Sequence, residues 1–346
     1  MARIVVAGAG SVGACIAYHL ALLGARDVVL AERAEIASGS TGKAMGGVRQ
    51  QFSSVAEVRL AQESIGFFEE LGASWFQQVG YLFLATTEDG LAELERRREL
   101  QAGLGVPVER VDPWFVPGLA ADDVLGAVFC ATDGVADPPA LTREIVRRAA
   151  GLGVEVLEHT DARELERDVL VIAAGAYSGE FGVELPIRPL ARQLLETEPL
   201  DGLPGDLPMV IEAESGFHFR RRDDCLRIAM NDAEPRWGFE ATVDESVFSD
   251  RLERLAHRYP PATGTTIARA WAGLYDMTPD AHPIIGPLGD GLYAACGFSG
   301  HGFMQSPAVG RAVAEELLRG ESSLDLSLYR LERFSGEAAF PETLVL

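Results

Sequence analysis

Lysine is almost missing from this chain. Of its 346 residues 30 are lysine or arginine, and Lys43 is the single lysine, so chemistry that needs a titratable ammonium has one candidate. Cysteine is scarce as well: Cys15, Cys130, Cys225 and Cys296 stand far apart, with no CxxC or Cys/His spacing, which argues for buried thiols in a reducing cytoplasm and against metal or disulfide sites. No run of about eighteen apolar residues occurs, and the N-terminus enters an apolar strand with no charged leader, so the expected location is the cytoplasm. Positive charge is in deficit overall. A formal net charge of −22 repels nucleic-acid phosphates and anionic lipid headgroups, which excludes nucleic acid and membrane as expected partners.

What the chain does have is apolar content: 47% hydrophobic against 24% charged residues, the balance of a globular fold with a sizeable core. Ile4–Ala7 is a continuous apolar run closed by Gly8-Ala9-Gly10. The segment after it, with Val12, Ala14, Ile16, Ala17, Leu20 and Leu23, is a helix apolar on nearly every face. Gly24 ends that helix, and Val28–Ala31 follows as a second buried strand ending at Glu32. These elements form a βαβ unit and imply a parallel sheet. Further on, the patterning predicts helices over 57–71, 87–104 and 140–150, buried strands over 80–85, 154–157, 169–173 and 292–295, and a last helix over 307–319. Between 186 and 270 the pattern changes to short alternating stretches (193–198, 216–220, 225–230) that suit an antiparallel sheet. The predicted class is α/β (α+β): a Rossmann-type parallel-sheet domain built from 1–80, 140–185 and 270–346, with an inserted antiparallel-sheet substrate domain from 81–139 and 186–269.

Gly8-Ala9-Gly10-Ser11-Val12-Gly13 is a GxGxxG that follows a strand and opens a helix, the context in which the motif carries meaning. Gly8 allows the tight turn, Gly10 lets backbone approach a pyrophosphate, and Gly13 permits close helix–strand packing. The phosphate charge then meets free N–H groups at the helix start. Glu32 is placed to accept hydrogen bonds from ribose hydroxyls. The motif alone does not separate NAD from FAD.

Three more stretches resemble the D-amino-acid oxidase superfamily, in particular its sarcosine oxidase, glycine oxidase and L-proline dehydrogenase β-subunit branch. The first is Ser38-Gly39-Ser40-Thr41-Gly42 with Gly46-Gly47-Val48-Arg49-Gln50-Gln51-Phe52. The second is Ala173-Ala174-Gly175-Ala176-Tyr177-Ser178. The third runs from Arg269-Ala270-Trp271-Ala272-Gly273-Leu274-Tyr275 through Thr278-Pro279-Asp280 to Gly297-Phe298-Ser299-Gly300-His301-Gly302-Phe303. The resemblance covers Ile4 to about Phe334 and implies FAD, held by Gly8 to Gly13, Glu32, Arg33, Ser40, Thr41, Gly46, Gly47, Val48, Ala162, Ala173, Gly175, Gly273, Gly300, His301, Gly302, Phe303 and Met304. Small residues with free N–H groups at the start of a helix suit the flavin edge where negative charge collects on reduction.

The implied reaction is oxidation of a small amino acid or N-alkyl amino acid by hydride transfer, leaving an imine, with O2 or another electron acceptor closing the cycle. Arg49 matches an arginine that sarcosine oxidases use for the substrate carboxylate, while Tyr275 and His301 are candidates for substrate contact or for stabilising reduced flavin. Gly273 stands where monomeric sarcosine oxidases carry the tethering cysteine, so FAD is expected to be noncovalent. Arg227 aligns with their oxygen-activating lysine, and an arginine cannot titrate in that role. Lys43 reads as a phosphate or surface contact, and His218 faces either the pocket or solvent. The competing readings are a nicotinamide-dependent dehydrogenase, a flavin-bearing β-type subunit of a larger complex, and an enzyme acting on an amine other than a free amino acid; a homo-oligomer or heteromeric complex is the expected assembly.

Overall fold

A computed structural model describes residues 2–336, 341, 342 and 345. Its organising element is a six-stranded sheet in the order Ile284–Gly289, Leu292–Cys296, Val169–Ile172, Ile4–Ala7, Val28–Ala31, Glu155–Leu157. All pairs are parallel except the first, which is an antiparallel hairpin. Alternation along these strands splits their side chains between two cores. Ile4, Val6, Val28, Leu30 and Val171 face a helical layer, while Val5, Ala7, Val29, Ala31, Leu170 and Ile172 pack on the opposite side with Ala162. With both faces covered, the strands read as unbroken apolar runs.

The helical layer comprises Ser11–Leu22, Pro138–Gly151 and Gly302–Arg319. Ser11–Leu22 and Gly302–Arg319 meet so closely that a Cβ at Gly310 would stand 2.6 Å from the backbone of Cys15. The last helix begins five residues earlier than the pattern predicts, at Gly302, and Pro307 lies inside it. A proline there withholds an N–H from the carbonyl four residues back. That carbonyl belongs to Phe303 and accepts instead from the Ser306 hydroxyl at 2.8 Å, which keeps the helix intact.

The second layer is a nine-stranded sheet fed by both expected insertions. Tyr81–Ala85, Val108–Val111 and Gly126–Cys130 come from the first, and Arg188–Thr197, Met209–Glu212, His218–Arg222 and Cys225–Ala229 from the second. It is antiparallel apart from one junction, where Met209–Glu212 pairs in parallel with Tyr81–Ala85. The two insertions meet there. Strand neighbours from separate passes of the chain are not bound by hairpin geometry, so this pair is free to run parallel. Ile267–Met277 pairs with Arg188–Thr197 along almost its whole length and runs across the 269/270 boundary. A small sheet of Gly47–Val48, Gly134–Ala136 and Phe76–Gln77 ties the loop after the βαβ unit to the first insertion. The end of the expected 270–346 segment lies partly outside the described residues. Among the described residues no helix is long and apolar enough to cross a membrane.

Candidate functional site

A cleft of ≈470 Å³ runs between the two large sheets, within the size range of cofactor and small-molecule sites. One end is built by the βαβ unit. Gly8 has φ +104, and a Cβ on it would stand 2.5 Å from the Ala173 carbonyl oxygen, while a Cβ on Gly13 would stand 1.9 Å from the carbonyl oxygen of Gly8. The crossing of the two central strands and the first helix therefore tolerates only glycine at both places. Glu32 lies at the end of its strand with one carboxylate oxygen accepting from Ala9 N–H at 2.8 Å and the other from Ala34 N–H at 3.0 Å. This fixes the carboxylate while leaving lone pairs for ribose hydroxyls. The first helix has no acidic residue in its opening turn and no side-chain cap on Gly10; the Thr41 hydroxyl accepts from Ser11 N–H at 3.0 Å. Its positive end thus faces the cleft beside Gly10, as a pyrophosphate requires.

Ser40 donates to the Leu274 carbonyl at 2.6 Å and so pins the loop 38–47 across the long strand Ile267–Met277. Arg33 lies 3.7 Å over the Tyr177 ring and pairs with Glu180 at 3.3 Å, forming a wall with Ala162 and Gly175. Lys43 lines the cleft too, its stem 3.0 Å from where a Cβ on Gly273 would be. No cysteine among the described residues lines the cleft.

At the other end the residues are polar and buried. Arg49 is 2% exposed. Its guanidinium donates to the Gln51 carbonyl, lies 3.3 Å from Nε2 of His301 and stacks 4.0 Å over Phe52. A guanidinium only donates, so this contact makes Nε2 of His301 the acceptor. Burial pushes the Arg49 pKa below its ordinary value, while Glu342 and Asp133 push back. Asp133 fixes the segment: it accepts from Gln50 N–H at 2.9 Å and from the Gln50 and Gln51 side chains at 3.2 and 3.0 Å. Burial raises its own pKa to about 6.

Tyr275, half-buried, has its pKa raised by desolvation, with Arg192 and Arg49 pulling it down. His218 faces the cleft, which resolves its two readings, and burial lowers its pKa to about 4. Its Nδ1 is 2.8 Å from the Gly216 carbonyl and must donate to it, so the neutral ring keeps an acceptor at Nε2. Gly300, His301, Gly302, Phe303 and Met304 carry the start of the last helix into the cleft. Asp276, raised to about 6 by burial, accepts from Gly297 N–H at 2.8 Å and anchors that glycine-rich turn from below.

Most of the residues named from sequence therefore share one cleft. Ala9, Gly13 and Val48 do not line it: Ala9 N–H holds Glu32, Gly13 packs on Gly8, and Val48 lies in the small sheet. Arg227 does not line it either. It pairs with Glu196 at 2.8 Å and lies 5.1 Å over Trp271, so the lysine position it matches is spent here on a structural ion pair. Sequence reasoning missed Tyr81, Arg192, Gln193, Met209 and Asn231, all on the cleft wall, and Asp133 behind Arg49. They come from alternating strands and loops that carry no motif.

The family model described as "DAO: FAD dependent oxidoreductase" matches residues 3–316. The mitochondrial sarcosine dehydrogenase of Mus musculus is 26% identical over 96% of this chain but only 41% of its own length, so the chain spans about two-fifths of that relative. The glycine oxidase of Geobacillus kaustophilus is 25% identical over 96% of this chain and 97% of its own. Among solved structures, L-proline dehydrogenase from P. horikoshii has a TM-score of 0.90 at 30% identity, covering 96% of this chain and 98% of that one. The glycine-fitted strand–turn–helix, the fixed Glu32 carboxylate and the helix start at Gly302 are what a bound FAD requires, and with that match the chain belongs to the DAO family of FAD-dependent oxidoreductases.

Proposed function

We propose that the chain oxidises the C–N bond of a small amino acid or N-alkyl amino acid to the imine. The observation that carries this reading is Arg49, a buried cation at the cleft end opposite Glu32, held in place from three sides. A fixed guanidinium in a desolvated pocket is a strong receptor for a carboxylate. Relatives named sarcosine dehydrogenase and glycine oxidase, and a neighbour named L-proline dehydrogenase, support the same substrate class.

FAD, when bound, supplies the two-electron acceptor for the hydride that leaves the carbon next to nitrogen. The residues of this chain do the remaining work. Gly8, Gly10, Glu32 and Thr41 would hold the dinucleotide, and Gly46, Gly47 and Gly300 to Met304 would surround the redox end. Arg49 fixes the carboxylate so that the C–H points one way. N–H groups at the Gly302 helix start would supply positive partial charge at that end. His218, its pKa lowered to about 4 by burial, is a weak base there, so in this reading the amine arrives uncharged and its lone pair becomes the second C–N bond. FAD is held noncovalently in this reading, which heat release of free FAD from the denatured protein tests.

The deciding experiment is anaerobic mixing of the yellow holoprotein with sarcosine, glycine, L-proline and D-amino acids. Bleaching of the flavin bands by one of them is expected, and bleaching by none overturns the proposal. Rapid return of colour in air marks an oxidase, slow return a dehydrogenase. Bleaching by the isolated chain also separates a self-sufficient enzyme from a subunit that works only in a complex.

A further inference from the structure

Arg192 sits in the middle of strand Arg188–Thr197 and lines the same cleft as Arg49. Several arginines of this sheet have carboxylate partners: Arg227 with Glu196 at 2.8 Å, Arg236 with Asp232 at 3.1 Å, Arg222 with Asp137. Arg188, Arg192 and Arg220 make no ion pair with a described residue, and of these three Arg192 is the one that lines the cleft. Its side chain makes no ion pair with any described residue, and its Nε is buried with no hydrogen-bond partner. A buried donor left unmet is costly, and native structures keep few of them outside sites where a ligand completes the set.

The acidic residues of the cleft wall are all committed elsewhere. Glu32 holds two backbone N–H groups, Asp161 pairs with Arg163 and Glu180 with Arg33, while Asp276 anchors the Gly297 turn. Asp232, the acid whose field reaches Arg192, is already shared by Arg236 and Arg251. The Tyr275 ring lies 5.8 Å from the Arg192 guanidinium, and both Arg192 and Arg49 act on Tyr275 and on His218. Two guanidinium groups therefore line one cleft, both close enough to Tyr275 and His218 to act on each. A single carboxylate placed on Arg49 leaves Arg192 without an anion.

We propose that Arg192 is a second anion-recognising residue and that the substrate is an amino dicarboxylate, with the carboxylate beside the reacting C–H on Arg49 and the other on Arg192. This rests on the amino-acid reading above and narrows its substrate class. A substrate with both charges satisfies the two guanidiniums at once, while a mono-acid leaves Arg192 uncompensated in a cleft that its own binding has desolvated further.

Thioethers, which carry sulfur in place of the reacting nitrogen and so are not oxidised as amines, separate binding from turnover. Thiodiglycolate mimics a dicarboxylate and methylthioacetate a mono-acid, and each is titrated into the FAD-loaded protein while the flavin spectrum is followed. Thiodiglycolate is expected to bind about tenfold or more tightly than methylthioacetate, since each factor of ten is one well-made charge contact. In Arg192→Gln the ratio should fall to about one, and Arg192→Lys should restore part of it. Turnover should follow the same order, with the kcat/KM of iminodiacetate or N-methyl-L-glutamate above that of sarcosine and the difference lost in Arg192→Gln. Equal affinities in the unmutated protein overturn the proposal. So does an Arg192→Gln variant that weakens both thioethers equally, because Arg192 then serves the flavin or the fold. If neither thioether binds and no amine bleaches the flavin, the amino-acid reading itself fails; if methylthioacetate binds with no dicarboxylate preference, only the role of Arg192 does.

Discussion

The ring of Tyr275 lies so close to the backbone of Gly300 that a Cβ on that glycine would stand 2.4 Å from the ring. Gly300 also has φ +94, where side chains are strained. Two independent penalties thus meet at one position. Gly300→Ala is expected to lower stability by roughly 2–4 kcal/mol, the strain of the left-handed region plus displacement of a half-buried, packed ring. It should also weaken FAD retention, since the turn 297–302 opens into the cleft. Adding Tyr275→Ala removes the collision but not the backbone strain, so the double variant should be more stable than the sum of the single effects by about 1 kcal/mol or more. Thermal unfolding of the four proteins checks this, and strict additivity would show that the ring and the glycine are not coupled.

Replacing Arg49 tests the carboxylate assignment. Arg49→Met keeps much of the stem that stacks on Phe52 and removes the charge. Loss of a buried charge-assisted contact to substrate is worth about 2–4 kcal/mol, which corresponds to a KM raised by roughly 30- to 1000-fold. FAD content should stay close to that of the unmutated protein, because the dinucleotide is held at the far end of the cleft. A KM unchanged within a factor of two would remove Arg49 from the site.

Asp133 does not line the cleft, yet its carboxylate holds the Gln50 backbone beside Arg49. Asp133→Ala strands the Gln50 N–H and loosens both glutamine side chains, at about 1–3 kcal/mol for the unmet buried donor. As a positioning residue it should raise KM more than it lowers kcat, and Asp133→Asn, whose amide oxygen still accepts from Gln50 N–H, should recover most of the KM. Equal recovery of stability without recovery of KM would make its role purely structural.

The parts of this arrangement that were legible in the sequence are those written by local rules. A GxGxxG between a buried strand and a helix, an acid at the end of the next strand and a glycine-rich turn after a buried strand each state their geometry within a few residues, and Gly8, Glu32 and Gly300 stand where such rules put them. Arg192 and Asp133 act through partners far away in sequence, such as Tyr275 and Gln50, and no spacing records those contacts. The same holds for the buried group of Glu57, His282 and Gln305, which joins three separate segments, one of them the last helix. Arg227 shows the opposite failure. Its alignment was readable, but the carboxylate of Glu196 that captures it lies on a neighbouring strand whose register only the folded sheet defines.

Acid stability is set by groups whose signs oppose. His19 is 7% exposed, and burial first, then Arg311, lowers its pKa to about 4, as burial does for His218. Between about pH 6.5 and pH 4 the unfolded chain binds protons on these histidines that the folded chain refuses, so their contribution to stability falls as the pH falls. Asp133 and Asp276, raised to about 6, do the reverse: below pH 6 the folded state takes up protons that the unfolded carboxylates do not, and stability rises toward pH 4. The unmutated protein should therefore show a shallow profile in this window. His19→Leu removes one histidine at a site inside the first helix, away from the cleft wall. Whatever its effect at neutral pH, the variant should gain about 2 kcal/mol relative to the unmutated protein between pH 7 and pH 5, the cost of 1.5 pH units on one proton. Denaturant midpoints at the two pH values measure that difference of differences, and a value near zero would mean that His19 titrates in the folded protein much as it does in the unfolded chain.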